Sequence, residues 1–169
     1  MPRLERLRAD HATALLEFEV ANRAYFAASI PDRGDDWFAH FDARHHALLA
    51  EQDAGFCHFH VLVGAGGEVL GRVNVVDVAE GSAELGYRIA ESAAGRGLAT
   101  AAVHEVCALA AGEYGLTTLW AVTTLDNAGS RTVLTRTGFV SAGTVELDGR
   151  PGLRFVRELG DGTPPPSAR

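Results

Sequence analysis

Gly95-Arg96-Gly97-Leu98-Ala99-Thr100 joins an apolar strand predicted at about 82–90 to an alanine-rich helix predicted at about 98–112. Glycines in such a turn let successive backbone N–H groups converge, and the helix N-terminus adds partial positive charge, so the segment suits a phosphate. A tight strand-to-helix connection without a ligand is the plainer reading of the same residues. Two named phosphate motifs are excluded. The dinucleotide fingerprint wants a third glycine where this chain has Thr100, and the P-loop wants a Gly-Lys pair in a chain that has no lysine at all.

The elements around this turn set the fold class. Ala99, Ala102, Val103, Val106 and Ala110 recur at helical spacing, and the chain continues with a strand at 117–123, a helix from Asn127 to Arg136, and strands near 139–147 and 153–159. Upstream, 57–63 and 68–76 flank Gly64-Ala65-Gly66-Gly67 and read as a hairpin. Earlier still come a short strand at about 3–8, a helix from Asp10 to Ser29 and a second helix over Asp35–Gln52. Hairpin strands followed by a strand–helix–strand–helix unit predict a mixed sheet flanked by helices.

The chain has 169 residues, 47% hydrophobic and 22% charged, which suits one globular domain. Residues 1–159 are expected to form it, and the Gly- and Pro-rich 160–169 to be a disordered tail. All fifteen basic residues are arginine, and the formal charge is -7. The acidic balance argues against a nucleic-acid partner. Cys57 and Cys107 form no paired motif, which favours a reducing compartment. The amino terminus carries charges where a signal peptide needs an apolar stretch. No run approaches the roughly 18 apolar residues of a membrane span. A cytoplasmic location without membrane association is the expectation.

Glu84-Leu85-Gly86-Tyr87-Arg88-Ile89, then the glycine turn, then Asn127-Ala128-Gly129-Ser130, Val133-Leu134 and Arg136-Thr137-Gly138-Phe139 together resemble the GNAT acetyltransferase superfamily. The closest likeness is to its branch of ribosomal-protein N-terminal (alanine) acetyltransferases. That resemblance implies an α+β fold: a GNAT-like mixed, mostly antiparallel central sheet of about seven strands, flanked by about four helices. It implies acetyl-CoA as cosubstrate, in a cleft between splayed central strands, and no metal. The acceptor it implies is a primary amine, on a protein N-terminus or a small molecule, and homodimers are common in the family. By the same resemblance Gly95, Arg96, Gly97, Leu98, Ala99 and Thr100 hold pyrophosphate, Ile89 and Ala90 run beside the pantetheine arm, and Asn127 approaches the thioester. The family's loop often opens with Gln or Arg where this chain has Ala94, a change that leaves the backbone donors in place.

Acetyl transfer to an amine needs a base, a donor to the oxyanion and help for the departing thiolate. A protein α-amine has a pKa of about 8 and a lysine amine about 10.4, so a base matters most for the second kind. Period-two alternation puts Glu84, Gly86 and Arg88 on one strand face and Leu85, Tyr87 and Ile89 on the other. The resemblance assigns Glu84 as the base, usually through water; a surface pair with Arg88 or Arg72 is the alternative. Ser130 is the candidate proton donor to the thiolate, replacing a tyrosine that falls on Leu134 here; a cap or packing role is its alternative. A bulge near Ile89 or Ala90 is expected to free an N–H for the oxyanion. His58 and His60 share a strand face, but no third ligand completes a metal site, so a solvated face accounts for them, as a helix surface does for His45 and His46. Trp37, Phe38, Phe41 and Tyr25 are read as core or substrate pocket, and Asp35-Asp36 as a helix start or an attractor for a cationic acceptor. A non-catalytic acyl-CoA-binding sensor or scaffold domain is the alternative function.

Overall fold

The computed structural model describes residues 1–160, so the expected tail lies, beyond Gly160, outside the described residues. Among the described residues seven strands form one sheet: β1 (Arg3–Arg6), β2 (His58–Val63), β3 (Val69–Ala79), β4 (Ser82–Ile89), β5 (Thr118–Thr124), β6 (Val140–Leu147) and β7 (Arg150–Glu158). Their order across it is β1-β2-β3-β4-β5-β7-β6. Every neighbouring pair is antiparallel except β4 with β5. A parallel pair needs a crossover, and helix α5 (Leu98–Gly112) supplies it.

That one parallel contact opens the molecule. β4 pairs with β5 only at Ser82–Thr118, Ala83–Leu119 and Glu84–Trp120, and from Leu85 onward the two strands have no common ladder. β5 is paired along its whole length with β7 and β4 with β3, so neither can close the gap. The open edge of β4 also has a defined hydrogen-bonding sense. The Ala90 N–H donates to the Leu70 carbonyl at 2.8 Å. Ladder alternation then turns the main-chain groups of Ile89, Tyr87 and Leu85 away from β3, into the gap.

Among the described residues six helices flank the sheet, more than the four expected, because each early helix is two. The first is α1 (Ala12–Ala21) and α2 (Arg23–Ala27), the second α3 (Asp35–Ala39) and α4 (Phe41–Asp53); α6 (Ala128–Arg136) follows β5. Asn22 makes the first break. Its amide donates to the Phe18 carbonyl at 2.9 Å and its Oδ1 accepts from the Glu91 N–H at 2.9 Å, so the side chain competes with the helix ladder and ties it to the end of β4. His40 makes the second, with φ −109° and ψ 24° and its Nδ1 donating to the Asp36 carbonyl. Apolar side chains bury on both faces. Val73, Val75, Leu85, Leu119 and Phe155 pack with α5 on one, and Phe59, Val61 and Val63 with Leu15, Phe18 and Phe41 of α1 and α4 on the other. The sheet's ladders hold the splay while the two cores clamp it from either side.

Candidate active site

One end of the gap is made of backbone. Gly95 and Gly97 take φ +77° and +74°, a conformation only glycine adopts freely, and Gly97 caps α5. The α5 ladder begins with the Ala101 N–H on the Gly97 carbonyl. No N–H from Gly95 to Thr100 bonds to an acceptor among the described residues. Six consecutive donors at a helix N-terminus form a strong cradle for an anion. They open on a cavity of about 580 Å³. Of the sequence-predicted residues, Ile89, Gly95, Gly97, Leu98, Ala99, Thr100, Asn127 and Ser130 line it, while Ala90 and Arg96 do not. The Arg96 guanidinium bends back to the Ser92 carbonyl. The bulge expected near Ile89 or Ala90 lies instead at Val76–Ala79, where Asp77 has φ +54°, and the Ala90 N–H is spent on Leu70.

A second cavity of about 490 Å³ adjoins the first and contains Glu84 on its wall. Glu84 makes no ion pair among the described residues, so the surface-pair alternative does not hold. Burial, and then the negative charge of Asp77, raise its carboxyl above the ordinary carboxylate pKa. The two cavities share Tyr87, Arg88, Asn127 and Ser130. At this junction the Tyr87 hydroxyl lies 3.0 Å from Ser130 Oγ and 3.2 Å from the Ser130 carbonyl. Asn127 is the N-cap of α6, its Oδ1 accepting from the Ser130 N–H at 3.1 Å. Tyr87 keeps its proton, since burial raises its pKa although the bond to Ser130 works the other way. Leu134 is buried in the core and offers no polar atom. Tyr87 went unnoticed in the sequence, where strand alternation sets it opposite Glu84.

Arg72 and Arg88, the partners considered for Glu84, belong to another carboxylate. Glu19 of α1 is 1% exposed. It accepts from Arg72 at 2.9 Å, Arg88 at 3.1 Å and Arg33 at 3.1 Å through both oxygens. Burial alone would raise its pKa, but the three guanidinium groups hold it below the usual range. Arg33 also lies over the Trp37 ring and Arg88 over Phe26, at 4.4 and 4.7 Å from the ring centroids. The cluster forms the floor beneath the second cavity, whose lining includes Arg33 and Arg88. No local pattern marks Glu19; only its place beside Phe18 in an apolar helix hints at it.

The remaining candidates have structural roles. β2 is buried along its whole length, so His58 and His60 are not on a solvated face. His58 stacks on Tyr114 at 3.7 Å, and His60 bonds the Tyr114 hydroxyl and the Val73 carbonyl. His45 is buried against the Arg8 carbonyl, while His46 is exposed. Among the described residues no group of three or more His, Cys, Asp or Glu is placed to hold a metal. Trp37, Phe38 and Phe41 pack edge to face, whereas Tyr25 lines the first cavity. Asp35 pairs with Arg23, and Asp36 with His40 and Arg44, away from both cavities. Cys57 and Cys107 are buried and line neither; burial raises both thiols, Cys57 to about 11 with help from Glu51.

The family described as Acetyltransferase (GNAT) domain matches residues 3–140, a span that includes the glycine turn, Glu84, Tyr87 and Ser130. The chain belongs to the GNAT acetyltransferase family. This GNAT protein is thus of the acetyltransferase class. Its fold is that of a ribosomal-protein-S5-alanine acetyltransferase from Vibrio fischeri, at TM-score 0.90 and 18% identity over 96% of both chains. Mycobacterium smegmatis RimJ, solved with a coenzyme A disulfide, matches at TM-score 0.82 and 26% identity over 92% of this chain and 80% of that one. A chimera of Vibrio cholerae spermidine N-acetyltransferase SpeG and hSSAT matches at TM-score 0.78 and 15% identity over 95% and 97%. No curated protein matches the chain. Among the described residues no helix is long and apolar enough to cross a membrane.

Proposed function

We propose that residues 1–159 act as one unit that transfers an acetyl group from acetyl-CoA to a primary amine by direct attack in a ternary complex. The observation that carries this is the shared wall. A cavity with six free amides at one end meets, at Tyr87 and Ser130, a cavity that holds an unpaired carboxylate. The fit to acetyl-CoA is physical. The free amides and the α5 N-terminus match a pyrophosphate, and the unladdered edge of β4 offers main-chain groups to an amide-bearing arm, as an added strand would find. When bound, the coenzyme supplies an electrophilic thioester carbonyl and a thiol leaving group.

The chain's own groups do the rest. Glu84 takes the proton from the incoming ammonium, through water, and its raised pKa makes it a better base than an exposed glutamate. Ser130 Oγ, hydrogen-bonded to Tyr87, presents a hydroxyl proton to the departing sulfur, and Tyr87 can restore it. Of the N–H groups expected near Ile89 or Ala90, that of Ala90 is spent on Leu70, so the main-chain N–H of Ile89, or that of Tyr87, turned into the gap, takes the oxyanion role. Neither cysteine lines either cavity, which favours direct attack over an acyl-enzyme. The test is thiol release from acetyl-CoA with a panel of amines. Amine-dependent release supports the transferase. Tight coenzyme binding with no release for any amine would support the sensor reading instead.

A further inference from the structure

The second cavity has two chemically opposite ends along one strand face. Glu84, Gly86 and Arg88 alternate on β4, so consecutive members lie roughly 7 Å apart. A Cβ built on Gly86 would meet nothing within 4 Å, which leaves the space between Glu84 and Arg88 open. Asn74, the register partner of Gly86 on β3, lines that space, and its buried Oδ1 has no hydrogen-bond partner. An unpartnered buried carbonyl oxygen beside a carboxylate wants a donor, and an ammonium group is the donor an acetyl acceptor brings.

The other end wants the reverse. Glu19 engages only Nη1 of Arg88, and Nε and Nη2 of Arg33. Nε and Nη2 of Arg88 and Nη1 of Arg33 have no partner among the described residues. Three arginines surround that single carboxylate, so the cluster keeps two positive charges in excess. Asp148 and Arg150 also line the cavity, and Arg150 is paired with Asp126.

We infer that the acceptor is zwitterionic: its amine binds between Asn74 and Glu84, and an anionic group of the same molecule, a carboxylate, binds Arg88 and Arg33. Arg88 and Arg33 are then specificity residues, with Glu19 setting their geometry. A free α-amino acid and a peptide whose second or third side chain is acidic share this chemistry. A polyamine does not, because its second ammonium would face the guanidinium cluster.

This inference rests on the transferase reading, and one assay separates their failures. Rates of thiol release are measured for four acceptors: free alanine, an amidated peptide with alanine followed by two glutamates, the same peptide with two lysines, and spermidine. The expected result is kcat/KM at least about tenfold higher for alanine or the acidic peptide than for the lysine peptide or spermidine. The better of the two favoured acceptors tells whether the carboxylate comes from a backbone terminus or a side chain. Arg88→Gln and, separately, the more exposed Arg33→Gln should raise KM for the favoured acceptor roughly tenfold while KM for acetyl-CoA stays put. Equal rates, or preference for the lysine peptide or spermidine in the wild-type protein, overturn the inference and leave the transferase standing. No release with any acceptor overturns the transferase reading itself.

Discussion

The two ends of the gap are built from different materials. The end proposed for the coenzyme is backbone: two left-handed glycines and six amides without acceptors, all within Gly95–Thr100. The end proposed for the acceptor is side chains: Glu84 on β4, Asn74 on β3, and a buried cluster in which Glu19 gathers arginines from 14, 53 and 69 residues away. A backbone cradle depends on local conformation and can be kept by many sequences. A side-chain cluster depends on the whole fold and defines what one chain accepts.

Glu84→Gln should break the acceptor end most severely. Turnover falls by roughly 10²–10⁴ if a general base is lost, while coenzyme A affinity by calorimetry stays near wild type. Equal turnover would remove Glu84 from the mechanism. Glu19→Gln tests the cluster beneath. Removing one partner of a buried ionic group costs about 3–5 kcal/mol, which a chemical-denaturation curve will show. The wild-type cluster should also be acid-sensitive. Glu19 titrates below its unfolded range, so its contribution is present above the ordinary carboxylate pKa and fades as pH falls through the folded value. Glu19→Gln should flatten that dependence. Gly97→Val probes the other end. A Cβ at Gly97 meets no protein atom within 4 Å, so the change acts through φ and through access to the amides. Coenzyme A binding should weaken by about tenfold or more. Unchanged binding would mean that the amides of Gly95–Thr100 do not hold the pyrophosphate.

The same contrast explains what could be read in advance. Gly95 and Gly97, the alanine-rich α5 and the strand–helix–strand order are local, and they predicted the mixed sheet and a turn suited to a phosphate. The Tyr87–Ser130 contact joins residues 43 apart across the gap, and strand alternation by itself argued for separating Tyr87 from the chemistry. Glu19 was hard to single out because an acidic residue in a helix that also carries Glu17 looks like a solvated one until three arginines arrive. His58 and His60 were misplaced for the converse reason. Polar–apolar alternation in His58-Phe59-His60-Val61 looks half-solvated, yet Tyr114 covers the imidazoles. The early helices broke at Asn22 and His40 because side chains there bond main-chain groups, a choice settled for Asn22 by the distant N–H of Glu91.

The central claim is that an unpaired Glu84, raised above the ordinary carboxylate pKa, accepts the proton of the incoming amine. The pH dependence of kcat/KM in wild-type and Glu84→Gln proteins tests it most directly. Protonation of the free amine gives both profiles an acid limb with a slope of about one. In the wild-type protein the limb should steepen toward about two once pH falls below the pKa of Glu84, somewhere above the ordinary value of 4.5. The variant should keep a slope of about one throughout. Profiles that steepen alike in both proteins, or in neither, would contradict the assignment.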